Sequence, residues 1–145
     1  MRNIPGFEDE LARVITASWG GMRVVGAYFP NGQEPGSDKF AYKMRWLEAL
    51  RSWLAGELRE HAHLGLHDAF RMFHSEAKLY SWWDYREMAF RRNKGLRIDH
   101  VLVSTALQPL CVSCDIDKAP RKNERPSDHA PVVLALKDPI PGFCG

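Results

Sequence analysis

The clearest pattern of apolar and polar positions is a helical one, in residues 37–60. Apolar side chains recur there at spacings of three and four, and charged side chains occupy the opposite positions, as on an amphipathic helix. Ser37 or Asp38 can cap the first turn by accepting a hydrogen bond from a free backbone N–H. The sequence therefore predicts a helix ending at about Glu60, with an apolar stripe formed by Phe40, Met44, Leu47, Leu50, Leu54 and Leu58 and widened by Trp46 and Trp53.

Runs rich in β-branched and aromatic residues predict the strands. Met22 to Phe29 is one such run, and Leu11 to Trp19 is its expected antiparallel partner. Leu96 to Val103 and Val132 to Leu136 are expected to form two further strands. Helices and strands together place the chain in the α/β (α+β) class.

The composition is that of one soluble globular domain. The 145 residues are 45% hydrophobic and 26% charged, which excludes a disordered chain and a disulfide scaffold. No run of about 18 apolar residues exists, so no membrane span is expected. Three cysteines, with no apolar leader at the N-terminus, favour a reducing cytoplasmic location. Cys111 and Cys114 lack a second ligand pair at zinc-site spacing, so both thiols are interpreted as packing groups.

Positive charge is concentrated in one part of the chain. The net charge is +2 for all 145 residues, whereas residues 86–125 hold nine basic and five acidic side chains and carry +4. Residues 78–97 also interleave aromatic rings with cations, and such rings stack on bases while guanidinium groups bind phosphates. This favours a nucleic-acid partner. The alternative is a solvated loop, with Trp82 and Trp83 packed in a core.

One acidic residue lies in an apolar run. Asp99 falls within the strand expected after Gly95, where a carboxylate needs a partner. We expect this partner to be His129, because prolines on both sides stiffen the loop 126–131 that carries it. A carboxylate orients imidazole and stabilises its cationic form, which neutralises charge on a phosphate oxygen. Asp128 is left as an oxygen ligand for Mg²⁺ or Mn²⁺, and the alternative is an ordinary surface turn.

Four segments resemble motifs of the endonuclease–exonuclease–phosphatase superfamily, in the family's own order. Ser127 to Val132 is similar to its C-terminal signature, and Gly95 to Ser104 to the motif before it. Tyr80 to Arg86 and Gly26 to Gly32 resemble segments of the exodeoxyribonuclease III branch. The resemblance covers about Arg2 to Leu136. It implies the family's four-layer, two-sheet α/β sandwich, here in an incomplete form.

The resemblance implies a DNA repair nuclease of base excision repair. Such an enzyme is a metal-dependent hydrolase, using Mg²⁺ or Mn²⁺, with endonuclease activity at abasic sites and exonuclease activity at 3′ ends of double-stranded DNA. Carried onto the matching positions, Tyr28 contacts the scissile phosphate. Asp99 orients His129, and His129 binds or protonates a phosphate oxygen. Asp128 lies at the metal site.

The resemblance also assigns a DNA-binding surface. Trp82, Leu96 and Ile98 match positions that line the pocket for the extruded abasic sugar. The segment from Trp82 to Lys94 disfavours a superfamily phosphatase acting on small phosphates. The side chains expected to hold the DNA backbone are Arg86, Arg91, Arg92 and Lys94.

Two blocks of the family have no counterpart in this sequence. One is the beginning, which carries a metal-binding glutamate, and the other is the central Gly-Asp-Phe/Met-Asn motif, which carries the water-activating aspartate. We expect the flanking segments to be joined near 64–65, within a partial domain over 1–137 followed by a tail over 138–145. Nuclease activity is therefore expected to be impaired or lost. The alternative is a non-catalytic DNA-binding remnant or a non-functional gene fragment, and the oligomeric state stays open.

Overall fold

The computed structural model describes residues 3–19, 22–60 and 65–137. The described residues divide into two compact units, the first within residues 1–62 and the second within residues 63–140. None of the described helices combines the length with the hydropathy that crossing a bilayer requires.

The first unit contains a β-hairpin and a long helix. Strands β1 (Val14–Trp19) and β2 (Met22–Ala27) pair antiparallel over their whole length. Both strands are shorter than the sequence predicts. The N–H of Leu11 donates to the side chain of Asp9 at 2.9 Å, which forms a turn in place of the start of the ladder.

Helix α1 (Asp38–Glu60) has the predicted limits. Ser37 caps it, since its Oγ accepts from the N–H of Phe40 at 3.1 Å. Most of the predicted apolar stripe is confirmed, since Leu50 is buried and Leu47 and Leu54 pack against the core, but Met44 is 50% exposed. Trp46 and Leu50 form a core with Ile4 and Val14, and Trp53 packs against this core, so both indoles widen the stripe as predicted. Burying the large indole removes more apolar area from water than burying the methionine side chain does, so the helix face with Trp46 is turned toward the core.

The described part of the second unit contains a short helix and four short strands, and the strands form two antiparallel pairs. In chain order they are β3 (Leu66–Asp68), α2 (Ala69–Phe73), β4 (Leu102–Ser104), β5 (Cys111–Ile116) and β6 (Val132–Leu136). Strand β3 pairs antiparallel with β4, and β5 pairs antiparallel with β6. The predicted strand Val132 to Leu136 is confirmed. These helices and antiparallel pairs make the chain α+β, as expected.

Two apolar clusters lie in the second unit. One cluster centres on Ala69, Phe70, Val103 and Cys114, and the other on Trp83, Ala89 and Ala130. Cys114 is fully buried and Cys111 partly buried, both as free thiols, which confirms the packing interpretation. Burial raises the pKa of both thiols.

The strand predicted over 96–103 is largely absent. Only β4 pairs within it, and Leu96 forms an isolated bridge with Trp82. The reason is the fully buried Ser81, whose Oγ accepts from the N–H groups of Ile98 and Asp99 at 3.2 and 3.1 Å. A side-chain hydroxyl thus takes the two donors that a neighbouring strand would have used. Asp99 accordingly lies in an extended loop, and its backbone is fixed by a serine.

Candidate functional site

Segment 81–83 lies at the centre of the site in the second unit. Trp82 exchanges two backbone hydrogen bonds with Leu96, each 2.9 Å long. On the other side, the N–H of Ala130 donates to the carbonyl of Ser81 at 2.7 Å. The two segments that carry the predicted acid and histidine are therefore joined through one strand-like stretch.

Asp99 and His129 form the predicted pair. Nδ1 of His129 lies 3.0 Å from both carboxylate oxygens of Asp99. The two side chains are 42% and 36% exposed, for His129 and Asp99 respectively. They line an open groove of about 460 Å³, together with His100 and Ser127. Because a carboxylate only accepts, Nδ1 carries the hydrogen, and Nε2 has no partner among the described residues.

Asp128 points one oxygen at an indole. Nε1 of Trp82 donates to its Oδ2 at 2.9 Å, which leaves Oδ1 as the free oxygen within the described part of the chain. No group of three or more His, Cys, Asp or Glu side chains that could hold a metal exists among the described residues. A divalent ion of the Mg²⁺ or Mn²⁺ type takes several oxygen ligands. One carboxylate oxygen does not make a complete ligand set for such an ion.

The residues expected to line a sugar pocket are exposed apolar side chains. Leu96 is 55% exposed and Ile98 is 50% exposed, while Trp82 is half-buried. Leu96 lies opposite Trp82 in the backbone bridge, and Ile98 follows two residues later. Their contact with a sugar remains a prediction.

The cations expected to hold DNA differ in whether they pair with an acidic side chain. Arg86 makes a forked contact with Asp84, through Nε at 3.0 Å and Nη2 at 2.6 Å. This contact lowers the pKa of Asp84 to about 2. Nζ of Lys94 is 4.0 Å from the carboxylate of Glu87. The two predicted cations without an acidic partner among the described side chains are Arg91 and Arg92.

Tyr28 lies in the first unit, directly after β2. Its ring is 73% exposed, and the guanidinium of Arg13 lies 5.6 Å from the ring centroid. All the other predicted site residues belong to residues 63–140. Tyr28 therefore belongs to a different unit from the other predicted site residues, and its contact with a phosphate stays a prediction.

An ion pair that the sequence analysis does not predict lies next to the site. Nη2 of Arg97 lies 2.6 Å from Oδ2 of Asp68, and Oδ1 of Asp68 caps α2 by accepting from the N–H of Arg71. Burial acts to raise the pKa of Asp68, but the hydrogen bonds from Arg97 and Arg71 outweigh it and lower the pKa. Arg97 stands two residues before Asp99, so the pair anchors the loop that carries the candidate carboxylate. The sequence signal was the charge of Arg97 within an apolar run.

Comparison with known proteins places these residues in a wider context. The model of the Endonuclease/Exonuclease/phosphatase family matches residues 16–129. The chain is 43% identical over 100 residues to exodeoxyribonuclease III of Haemophilus influenzae, covering 66% of this chain and 38% of that protein. It is 29% identical over 169 residues to an exodeoxyribonuclease of Bacillus subtilis, covering 88% of this chain and 65% of that protein.

A solved structure shows the same fold. The 3′ phosphatase NExo from Neisseria, bound to a product DNA hairpin, matches with a TM-score of 0.87 and 32% identity over 94% of this chain and 70% of that one. The chain spans 38% to 65% of the length of the two curated relatives. The Bacillus subtilis alignment is 169 positions long but uses 88% of these 145 residues, so about forty of its positions have no counterpart here.

Proposed function

Since the chain belongs to the Endonuclease/Exonuclease/phosphatase family, we propose that its second unit is the phosphate-binding part of an exodeoxyribonuclease III-like DNA repair site. The observation that carries the proposal is the 3.0 Å contact between Asp99 and His129 at the edge of an open groove. The substrate is double-stranded DNA with abasic sites or 3′ ends. The site of action is the cytoplasm.

His129 is the group that meets the phosphate. Asp99 holds Nδ1–H, which fixes the ring and leaves Nε2 for a ligand in the groove. A carboxylate in this position stabilises the imidazolium that forms when the ring is protonated. The imidazolium donates Nε2–H to a phosphate oxygen and neutralises part of its charge. The open groove around the pair supports this role, since a phosphodiester needs access to Nε2.

The exposed apolar side chains receive the sugar. Extruding a nucleotide from duplex DNA costs least where no base is stacked, and an abasic sugar is the extreme case. Leu96, Ile98 and the ring of Trp82 offer an apolar surface next to Asp128, and the exposed Arg91 and Arg92 supply phosphate contacts. This combination supports abasic DNA over intact duplex.

Hydrolysis by this chain is weak or lost, and binding is retained. Asp128 supplies one oxygen for Mg²⁺ or Mn²⁺, and the described residues supply no complete ligand set. Metal ions and general bases each contribute orders of magnitude to hydrolytic reactions. This observation favours the second candidate, a non-catalytic protein that binds DNA.

One pair of assays tests the proposal. Fluorescence anisotropy measures binding to labelled duplexes with and without an abasic site, and a gel assay measures Mg²⁺-dependent cleavage. We expect tighter binding to the abasic duplex, weakened by His129→Ala and unchanged by His67→Ala, whose ring is hydrogen-bonded to Thr105. Cleavage is expected to be slow or absent.

Two outcomes would change this conclusion. Rapid cleavage that His129→Ala abolishes would refute the non-catalytic candidate and establish the nuclease. Equal and weak binding of both duplexes, unaffected by His129→Ala, would refute the proposed site as a whole.

A further inference from the structure

A buried arginine lies behind the loop that carries the candidate histidine. Arg121 is 7% exposed and belongs to the short turn Ala119–Lys122. Its guanidinium carbon lies 5.0 Å from the ring centroid of Phe90, 5.6 Å from that of Tyr85 and 6.0 Å from that of Trp83. A guanidinium removed from water is costly, and aromatic faces recover only part of that cost. No carboxylate pairs with Arg121 within the described ranges.

The polar contact of Arg121 is made to the loop. Its Nη1 donates to the backbone carbonyl of Ser127. Next to it, the hydroxyl of Tyr85 donates to the carbonyl of Pro126 at 2.9 Å. Two consecutive carbonyls are therefore held by side chains, immediately before Asp128 and His129.

We infer that Arg121 is a positioning residue for His129, acting through the loop and not through contact with the substrate. This inference rests on the proposed function of His129. Arg121 and Tyr85 together fix the entry to the loop, so that the imidazole meets Asp99 in one orientation. The same contacts tie the loop to segment 83–90, which includes Arg86 of the proposed DNA surface.

Packing alone does not explain an arginine at this place. Among the described residues, its buried Nε has no hydrogen-bond partner, and neither has the buried Nε1 of the neighbouring Trp83. An apolar side chain of similar length would fill the space between the rings without leaving a buried donor unpaired. The arginine supplies what that side chain cannot, which is a donor to the Ser127 carbonyl. A lysine would lack the planar group that stacks on three rings while it donates.

The experiment reads the ring of His129 directly. In ¹⁵N-histidine-labelled protein, the two ring nitrogen shifts report which nitrogen carries the hydrogen. The His129 signals are assigned by their loss in His129→Gln, and Asp99→Asn gives the shifts of a ring without its carboxylate. We expect Arg121→Met to move the His129 shifts toward the Asp99→Asn values. Lys122→Met removes a positive charge from the next, exposed position, and we expect it to leave the shifts unchanged.

Two milder variants keep the test decisive if Arg121→Met does not fold. Arg121→Lys keeps the charge, and Tyr85→Phe removes only the exposed hydroxyl that holds Pro126. Each is expected to produce a smaller shift in the same direction, while the shifts of His74 stay constant. His129 shifts equal to those of the wild type in every folded variant would overturn the inference. Shifts that change in a chain that binds no DNA would uphold the positioning role of Arg121 and refute the proposed function.

Discussion

The indole of Trp82 donates its N–H to Oδ2 of Asp128 across 2.9 Å, over 46 positions of sequence. One residue is expected to face a sugar and the other to face a metal, so the two expected roles are joined by a single hydrogen bond. The backbone of Trp82 also pairs with Leu96 and with His129. We therefore expect a change at its side chain to affect both the segment of Asp99 and the segment of His129.

Trp82→Phe tests this link. The ring is kept while the N–H is lost, and a hydrogen bond to a charged group contributes about 1.5–3 kcal/mol. We expect the free energy of unfolding to decrease by an amount in that range. We expect the affinity for DNA to decrease as well. Trp53→Phe is the matched control, because its N–H donates to the Glu57 carboxylate at 3.0 Å in the first unit. It should lower stability and leave DNA affinity unchanged, and an equal loss of affinity in both variants would contradict the link.

Among the described glycines, Gly95 is the one where an added methyl group would meet the closest atoms. A Cβ there would lie 2.5 Å from the carbonyl oxygen of Trp82 and 2.7 Å from two atoms of the Trp83 ring. Neither the backbone nor a fully buried indole can move away easily. We expect Gly95→Ala to cost about 1–3 kcal/mol or more in the free energy of unfolding, the range for overpacking.

Gly56→Ala is the control for Gly95→Ala, and chemical denaturation measures the stability of both variants. Gly56 lies inside α1, and a Cβ there would meet nothing within 4 Å. Gly56→Ala should raise stability by about 0.5–1 kcal/mol, since alanine favours the helix. A Gly95→Ala variant as stable as the wild type would show that the 81–83 segment is less tightly packed than the structure indicates.

The forked contact between Asp84 and Arg86 masks one cation of the proposed DNA surface. Asp84, with its pKa of about 2, is ionised at every pH at which binding would be measured. We expect Asp84→Asn to free Arg86 and to strengthen DNA binding. It should also steepen the dependence of log affinity on log salt by about 0.9, the increment for one further phosphate contact on duplex DNA.

The double variant Arg91→Ala with Arg92→Ala removes two cations from the same surface, whereas Asp84→Asn frees one. These two exposed cations have no acidic partner among the described residues, so their loss should flatten the salt slope by up to about twice that increment. Arg45→Ala, on the exposed face of α1, should leave the slope unchanged. Salt slopes identical in all of these variants would exclude segment 84–92 from the DNA interface.

The Asp68–Arg97 pair predicts how stability depends on pH. The pKa of Asp68 in the folded chain lies below its ordinary value of 3.8. Its contribution to stability is therefore complete above that value and is lost as pH falls through the lower, folded pKa. The difference in the free energy of unfolding between wild type and Asp68→Asn should be constant from pH 7 to about pH 5 and should shrink below about pH 4.

Asn at position 68 keeps the helix cap, so the comparison isolates the charge. Glu48→Gln is the control, because Glu48 pairs with Arg51 on an exposed surface where ion pairs contribute little. A difference for Asp68→Asn that stays constant down to pH 3 would contradict the assigned cause.

The sequence predicts elements whose causes are local. Helix α1 has a serine cap and a regular apolar period, and both its limits are as predicted. The partnership of Asp99 and His129 was also predictable, because a carboxylate in an apolar run needs a partner and the proline-flanked loop 126–131 offers an imidazole.

Other features depend on contacts between distant parts of the chain. The strand expected over 96–103 fails because the hydroxyl of Ser81 captures two of its amides. The acceptors of Trp82 and Arg121 carry no signature either, since an indole or a guanidinium can donate to any carbonyl or carboxylate within reach. Such contacts become visible only after the backbone has brought the segments together.

The three consecutive residues of segment 81–83 each make a different contact in the site. Ser81 fixes the loop of Asp99, Trp82 holds Asp128, and Trp83 fills the core beside Arg121. A gain or loss of a single codon in this stretch would rotate all three side chains to the wrong faces at once. A substitution here alters the contacts of one residue, whereas a change of length alters the contacts of all three. Natural variants of this chain should therefore differ in the number of residues before and after this segment, and not within it.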